Sequence, residues 1–245
     1  MQNKINNVTF FLGGVFVVNY KDIELKDKPI FDYFFSLRQF ENSEFTFTNL
    51  FIWRHSYSLK FAIVDDYLCI IGRYKNRYPV LFPPLGKDMN KFGDIFTIVI
   101  DDFKNEGCPV IVKGITQPIK EFIESSLPGI FYFEPDLNNS DYVYLSYDLI
   151  NLKGKKFHQK RNHINKFISK YDYTYEEIDS NNIEECIVAE YEWLNKNEPD
   201  DELLDEKAAI IEAFRNYETL KLKGGALRID NKIQAFTIGE LLNPQ

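Results

Sequence analysis

Histidine, cysteine and methionine are scarce in this chain of 245 residues, at three, three and two copies. Cys69, Cys108 and Cys186 form no CxxC pair, and an odd number leaves no complete disulfide framework. A reducing, cytoplasmic setting fits that usage best. His55, His158 and His163 have no metal-ligand spacing with any cysteine. On a helix His158 and His163 would point about 140° apart, so no zinc or other metal site is expected. No apolar run is long enough to cross a bilayer. The one near a terminus, residues 8–18 (VTFFLGGVFVV), has no small-x-small cleavage site after it. It reads as a buried first strand, or as an extension upstream of the domain start. GxGxxG, GxxxxGK[ST] and GxSxG are absent too, which excludes the common nucleotide cradles and the nucleophile elbow. No Gly/Ser linker, low-complexity tract or internal repeat interrupts the chain.

Apolar and aromatic residues are abundant, at 44% and 16%. That supplies a sizeable core for one large domain or two small ones. Pro29 and the spacing of Ile30, Phe34 and Leu37 predict a helix over 29–38. Residues 45–57 are dense in aromatics and read as core packing. Residues 61–71 and 78–82 read as strands, with Asp65-Asp66 as a hairpin turn. Helical spacing returns over 88–105, stopped by Gly107. A short strand at 110–112, a helix at 117–126 and the start of a strand at 131–133 follow. This alternation predicts mixed α/β layers rather than a sandwich.

Farther on, residues 142–149 (YVYLSYDL) have strand composition. A strand at 173–178 and a helix at 182–196 follow. The acidic stretch 198–206 reads as an exposed loop, and 208–217 as a helix. A hairpin is expected over 226–242, turning near Asp230-Asn231.

One segment runs against the net charge of -8. Lys153, Lys155, Lys156, Lys160, Arg161, Lys166 and Lys170 fall between Asp148 and Asp172 with no acid among them. A local cationic cluster on an acidic protein points to an anionic ligand more than to general affinity for nucleic acid. At about 100° per residue, Phe157, Ile164, Ile168 and Tyr171 share one stripe, which is expected to be buried. Arg161 falls inside that stripe, with Lys153, Lys156, Lys160 and His163 along its flank. Lys155, Lys166 and Lys170 fall on the opposite, solvated side. A charge turned inward needs a partner. Arg161 is therefore either half of a structural ion pair or part of an anion pocket, where a guanidinium grips bidentately and lysines act as point charges.

Three stretches together, 45–54 (FTFTNLFIWR), 141–167 (DYVYLSYDLINLKGKKFHQKRNHINKF) and 225–239 (GALRIDNKIQAFTIG), resemble a bacterial protein family. That family is related to the C-terminal catalytic domain of phosphatidylglycerol lysyltransferase. The resemblance covers most of the chain from about Ile23 on, and the middle stretch is the most specific. It implies a tandem pair of GNAT-like acyltransferase domains, here 20–145 and 146–245, the second incomplete at its C-terminus. The strand at 233–242 is then expected to present an open edge or an uncovered apolar face.

The resemblance also implies transfer of an acyl or aminoacyl group. Its relatives take an aminoacyl-tRNA as donor and a lipid as acceptor. By position in LKGKKFHQKRN, Lys153, Lys156, Lys160 and Arg161, with His163 on the same flank, become donor- or phosphate-binding residues. No catalytic residue is assigned. Such transfer needs orientation and an oxyanion donor, not necessarily a protein nucleophile. No tightly bound cofactor is implied; acyl-CoA or aminoacyl-tRNA would be a co-substrate. The acceptor would be a small molecule or peptide carrying an amine or hydroxyl. tRNA is an expected partner and DNA is not. Without a transmembrane segment, membrane contact would be peripheral, and coupling to a flippase in the same chain is not expected. The RxxGxG/A loop that cradles coenzyme A in ordinary GNAT acetyltransferases is missing. The competing reading is a non-catalytic GNAT-like protein that binds tRNA or another phosphorylated ligand.

Overall fold

A computed structural model describes residues 10–12, 15–105, 107 and 109–243. They form two compact units, one running to Pro135 and including 241–243, the other spanning Asp136–Glu240. Residues 8, 9, 13 and 14 of the first apolar run lie outside the described residues. The rest of that run contains two short antiparallel strands, β1 (Phe10–Leu12) and β2 (Val15–Val17).

The first unit is built on a mixed sheet. It contains β3 (Lys21–Asp22), β4 (Lys60–Val64), β5 (Tyr67–Gly72), β6 (Val80–Leu81), β7 (Leu85–Gly86) and β8 (Ile111–Val112). The order is β3-β4-β5-β6-β8, with β7 also on β5, and only β6 and β8 run parallel. Asp65 and Asp66 both take left-handed φ, 43° and 66°. This is the backbone of a type I′ hairpin turn, whose twist matches that of the strands it joins.

Helices α1 (Lys28–Ser36), α2 (Phe47–Trp53), α3 (Phe92–Asn105) and α4 (Gln117–Ser126) complete the unit. The aromatic run at 45–57 packs inward through Phe45, Phe47 and Phe51. Phe31 meets Phe61 and Phe47 edge-on at 4.8 and 5.4 Å, an arrangement favoured by the ring quadrupoles. α3 buries Phe92, Ile95, Phe96, Val99, Ile100 and Phe103, the stripe that its 3.6-residue period defines. Residues 131–133 form no strand. Their aromatics are used in packing instead: Phe131 stacks on Phe96 at 5.4 Å.

The second unit holds a three-stranded antiparallel sheet in the order β11-β10-β9, made of β9 (Tyr173–Glu177), β10 (Lys223–Ile229) and β11 (Lys232–Gly239). Its hairpin also turns through two left-handed residues, Asp230 and Asn231. Helices α5 (Ser146–Asn151), α6 (His158–Lys170), α7 (Ile183–Lys196), α8 (Asp201–Arg215) and α9 (Tyr217–Leu220) accompany it. The core gathers Ile178, Cys186, Leu194, Ala213, Phe214, Leu220, Ala226 and Ile233. Phe214 of α8 meets Phe236 of β11 at 5.1 Å. Arg228 joins the layers, with ion pairs of 2.6 Å to Glu176 on β9 and to Glu185 on α7. Gly225 is required for close approach: a Cβ there would fall 2.2 Å from the Tyr175 hydroxyl, beneath its ring.

Three expectations are corrected in this unit. Residues 142–145 pair with no strand, and 146–151 are helix α5. Strand composition alone is insufficient where no ladder partner is present. The acidic stretch at 198–206 is a loop only as far as Asp200. The Asp200 carboxylate accepts from the Leu203 N–H at 2.9 Å, and this cap starts α8. The stripe on α6 is not buried, since Ile164, Ile168 and Tyr171 are 44%, 51% and 38% exposed. Phe157, just before α6, is the stripe residue that packs inward.

Candidate functional site

The cationic segment is built on a turn between two helices. α5 ends at Leu152, whose φ of 46° is left-handed and whose N–H donates to the Asp148 carbonyl at 2.8 Å. Gly154 follows with φ of 91°, a conformation that L side chains rarely adopt. A 3₁₀ turn, Lys155–Phe157, then leads into α6. In a 3₁₀ turn successive residues rotate by about 120° rather than 100°. α-Helical spacing therefore does not fix where Lys155 lies, and its side chain stays exposed.

At this junction a cavity of about 440 Å³ is lined by Lys155, Lys156, His158, Gln159 and Arg161. It opens to solvent. Lys156 pairs with Asp148 at 2.8 Å and lies over the Phe157 ring, 4.8 Å from its centre. Lys155 has no side-chain partner among the described residues. His158 and Arg161 stand three apart on α6, so they share a face.

Arg161 is not half of an ion pair among the described residues. Its partners are not acids. Nη1 donates to the carbonyl oxygens of Leu152 and Gly154, the latter at 2.8 Å. Nε and Nη2 have no partner among the described residues. The guanidinium is half-buried and combines a role in the turn with a place in the cavity wall.

Of the five residues expected to bind a donor, the structure brings Lys156 and Arg161 to the cavity. Lys153 stands outside the lining, with Nζ over the Tyr147 ring at 5.8 Å. Lys160 and His163 are exposed on α6 and also lie outside the lining. Helical spacing missed Lys155, His158 and Gln159. The signal for Lys155 was Gly154 directly before it, since a glycine at a helix entry permits a turn of different pitch.

Neither described cysteine is placed to act as a nucleophile. Cys69 and Cys186 are buried. Desolvation raises both thiols, that of Cys186 to about 11, so neither supplies a thiolate near neutral pH. Among the described residues no group of three His, Cys, Asp or Glu is placed to hold a metal ion. No helix there is long and apolar enough to cross a membrane.

The family described as phosphatidylglycerol lysyltransferase, C-terminal, matches residues 35–245. The chain belongs to this family. A solved structure of a conserved protein of unknown function from Bacteroides thetaiotaomicron VPI-5482 is 35% identical, with a TM-score of 0.82. That match covers 91% of this chain and 76% of that one. A second match is the C-terminal domain of a putative lysylphosphatidylglycerol synthetase from Agrobacterium fabrum, 15% identical with a TM-score of 0.52. It covers 88% of this chain and 64% of that one, and it speaks for the fold alone. No curated protein matches. The cationic junction lies wholly inside the stretch that the lysyltransferase family matches.

Proposed function

We propose that this protein transfers an acyl or aminoacyl group from a phosphate-bearing donor to an amine or hydroxyl, and that its two units are GNAT-like. The observation that carries the reading is a solvent-open cationic cavity on an acidic chain, within a match to a family of lysyl-transferring enzymes. Donor phosphates would be met by Lys155 and Lys156. The acceptor nitrogen or oxygen attacks the donor carbonyl carbon. A C–N or C–O bond forms, the ester or thioester bond to the donor breaks, and the acceptor proton ends on the leaving oxygen or sulfur. Orientation and electrostatic support of the oxyanion suffice for such a step.

Between the two donor classes, the surroundings favour an aminoacyl-tRNA over acyl-CoA. Tyr142, Tyr144 and Tyr147 are 88%, 52% and 62% exposed, just ahead of the lysines in sequence. Exposed rings interleaved with cations suit a single-stranded 3′ end, whose bases stack while its phosphates pair. A second reading, binding without catalysis, is favoured by one observation: the cavity lining contains no carboxylate to act as a base.

Incubation with aminoacyl-tRNA or acyl-CoA labelled in the acyl group, plus a mixed pool of amines, peptides and lipids, tests the proposal. Transfer of label above the rate without protein, lost in a Lys155→Ala/Lys156→Ala variant, is the expected result. Saturable donor binding with no transfer would leave only the binding protein.

A further inference from the structure

We propose that Arg161 is a positioning residue, which holds the Leu152–Gly154 turn so that Lys155, Lys156 and His158 face the anion. This rests on the reading of the cavity as a phosphate site. The turn follows the C-terminus of α5, where helix carbonyls carry partial negative charge. Two of its own carbonyl oxygens, those of Leu152 and Gly154, would add to that charge at the rim of a cationic cavity. Arg161 Nη1 binds both. The Gly154 carbonyl also accepts from the Phe157 N–H at 3.4 Å, so the same oxygen starts the 3₁₀ turn that presents Lys155 and Lys156. One guanidinium nitrogen thus ties the end of α5, the glycine and the start of α6 into one arrangement. Masking those oxygens removes the groups that would repel an anion most directly.

Gly154 provides an independent handle on that arrangement. A Cβ at Gly154 would meet nothing within 4 Å, so Gly154→Ala disturbs only its left-handed backbone, with φ of 91°. Arg161→Ala and Gly154→Ala should therefore damage the same thing by different routes.

The test measures pyrophosphate affinity by calorimetry, and amide hydrogen exchange over 152–158, in the full chain and its variants. Arg161→Ala and Gly154→Ala are each expected to weaken pyrophosphate by about tenfold. The double variant should be within about twofold of the worse single, because both act through one turn. Exchange at 155–157 should rise in both variants while β9–β11 stay protected. Arg161→Lys should recover most of the affinity, since an ammonium has three donors for the two carbonyls. Multiplying losses in the double variant, with no rescue by Lys, would make Arg161 a direct phosphate ligand and overturn the proposal. So would unchanged exchange at 155–157, or a fall in melting temperature with affinity intact. No saturable binding by the unmodified protein is a different failure, which removes the phosphate reading of the cavity and this proposal with it.

Discussion

Glu190 brings a carboxyl to the buried side of α7, where it is only 8% exposed. Desolvation pushes its pKa up, and Glu206 adds to that while Lys207 opposes it. A raised folded-state pKa contributes stability that is fully present below the unfolded value of about 4.3 and lost as pH rises through the folded value. Glu190→Gln should therefore melt above the unmodified protein at pH 7, and the gap should close below about pH 4. Thermal melts over that range check the sign. Arg228 gives the opposite case. Its hydrogen bonds hold Glu176 and Glu185 below the ordinary carboxylate value of 4.5. Their contribution is present above that value and lost as pH falls through the lower folded values. Arg228→Gln should lower the melting temperature at pH 7 and flatten the acid side of the pH profile. A variant with an unchanged acid limb would show that the triad of charges is not coupled to folding.

Both hairpins illustrate what was readable at the level of elements, because each is written locally. Asp65-Asp66 and Asp230-Asn231 stand between apolar strands, and the chain turns at those residues. α3 and α4 were equally legible, since their apolar spacing matches a helix that packs on a sheet. What escaped the sequence depended on partners elsewhere in the chain or on a change of pitch. Residues 142–145 have strand composition and no strand beside them. Ile164 and Ile168 have core spacing and little cover. Lys155 lies in a 3₁₀ turn before α6, where α-helical spacing does not apply. At the candidate site the cationic segment was visible, but which of its cations share a cavity was not. The carbonyl partners of Arg161 were also beyond reach, because backbone acceptors leave no mark in a sequence.

Three substitutions test this scale. Asn231→Gly should stabilise by roughly 0.5–1 kcal/mol in denaturant titrations, because glycine takes a left-handed φ without steric cost. Phe157→Ala should cost about 3 kcal/mol, as for other buried aromatics. Ile168→Ser, half exposed, should stay within about 0.5 kcal/mol. Equal losses at Phe157 and Ile168 would mean that the α6 stripe is covered in solution.

Taken as a whole, the molecule is an acidic protein with one cationic junction, and the two charges have different consequences. The net charge of -8 works against non-specific attraction to polyanions, while the junction supplies a few cations at one place. Donor binding that uses two or three of them should show a shallow salt dependence, with a slope of log K against log salt of about -1.5 to -2. The most direct measurement is a titration of the full chain with an aminoacyl-tRNA 3′-end fragment across salt, repeated with Lys155→Ala/Lys156→Ala and with Lys166→Ala/Lys170→Ala. Saturable binding with that shallow slope, lost in the first pair and kept in the second, is the result predicted here. Binding that persists without Lys155 and Lys156, or that falls equally with Lys166 and Lys170, would contradict a phosphate site at the α5–α6 junction.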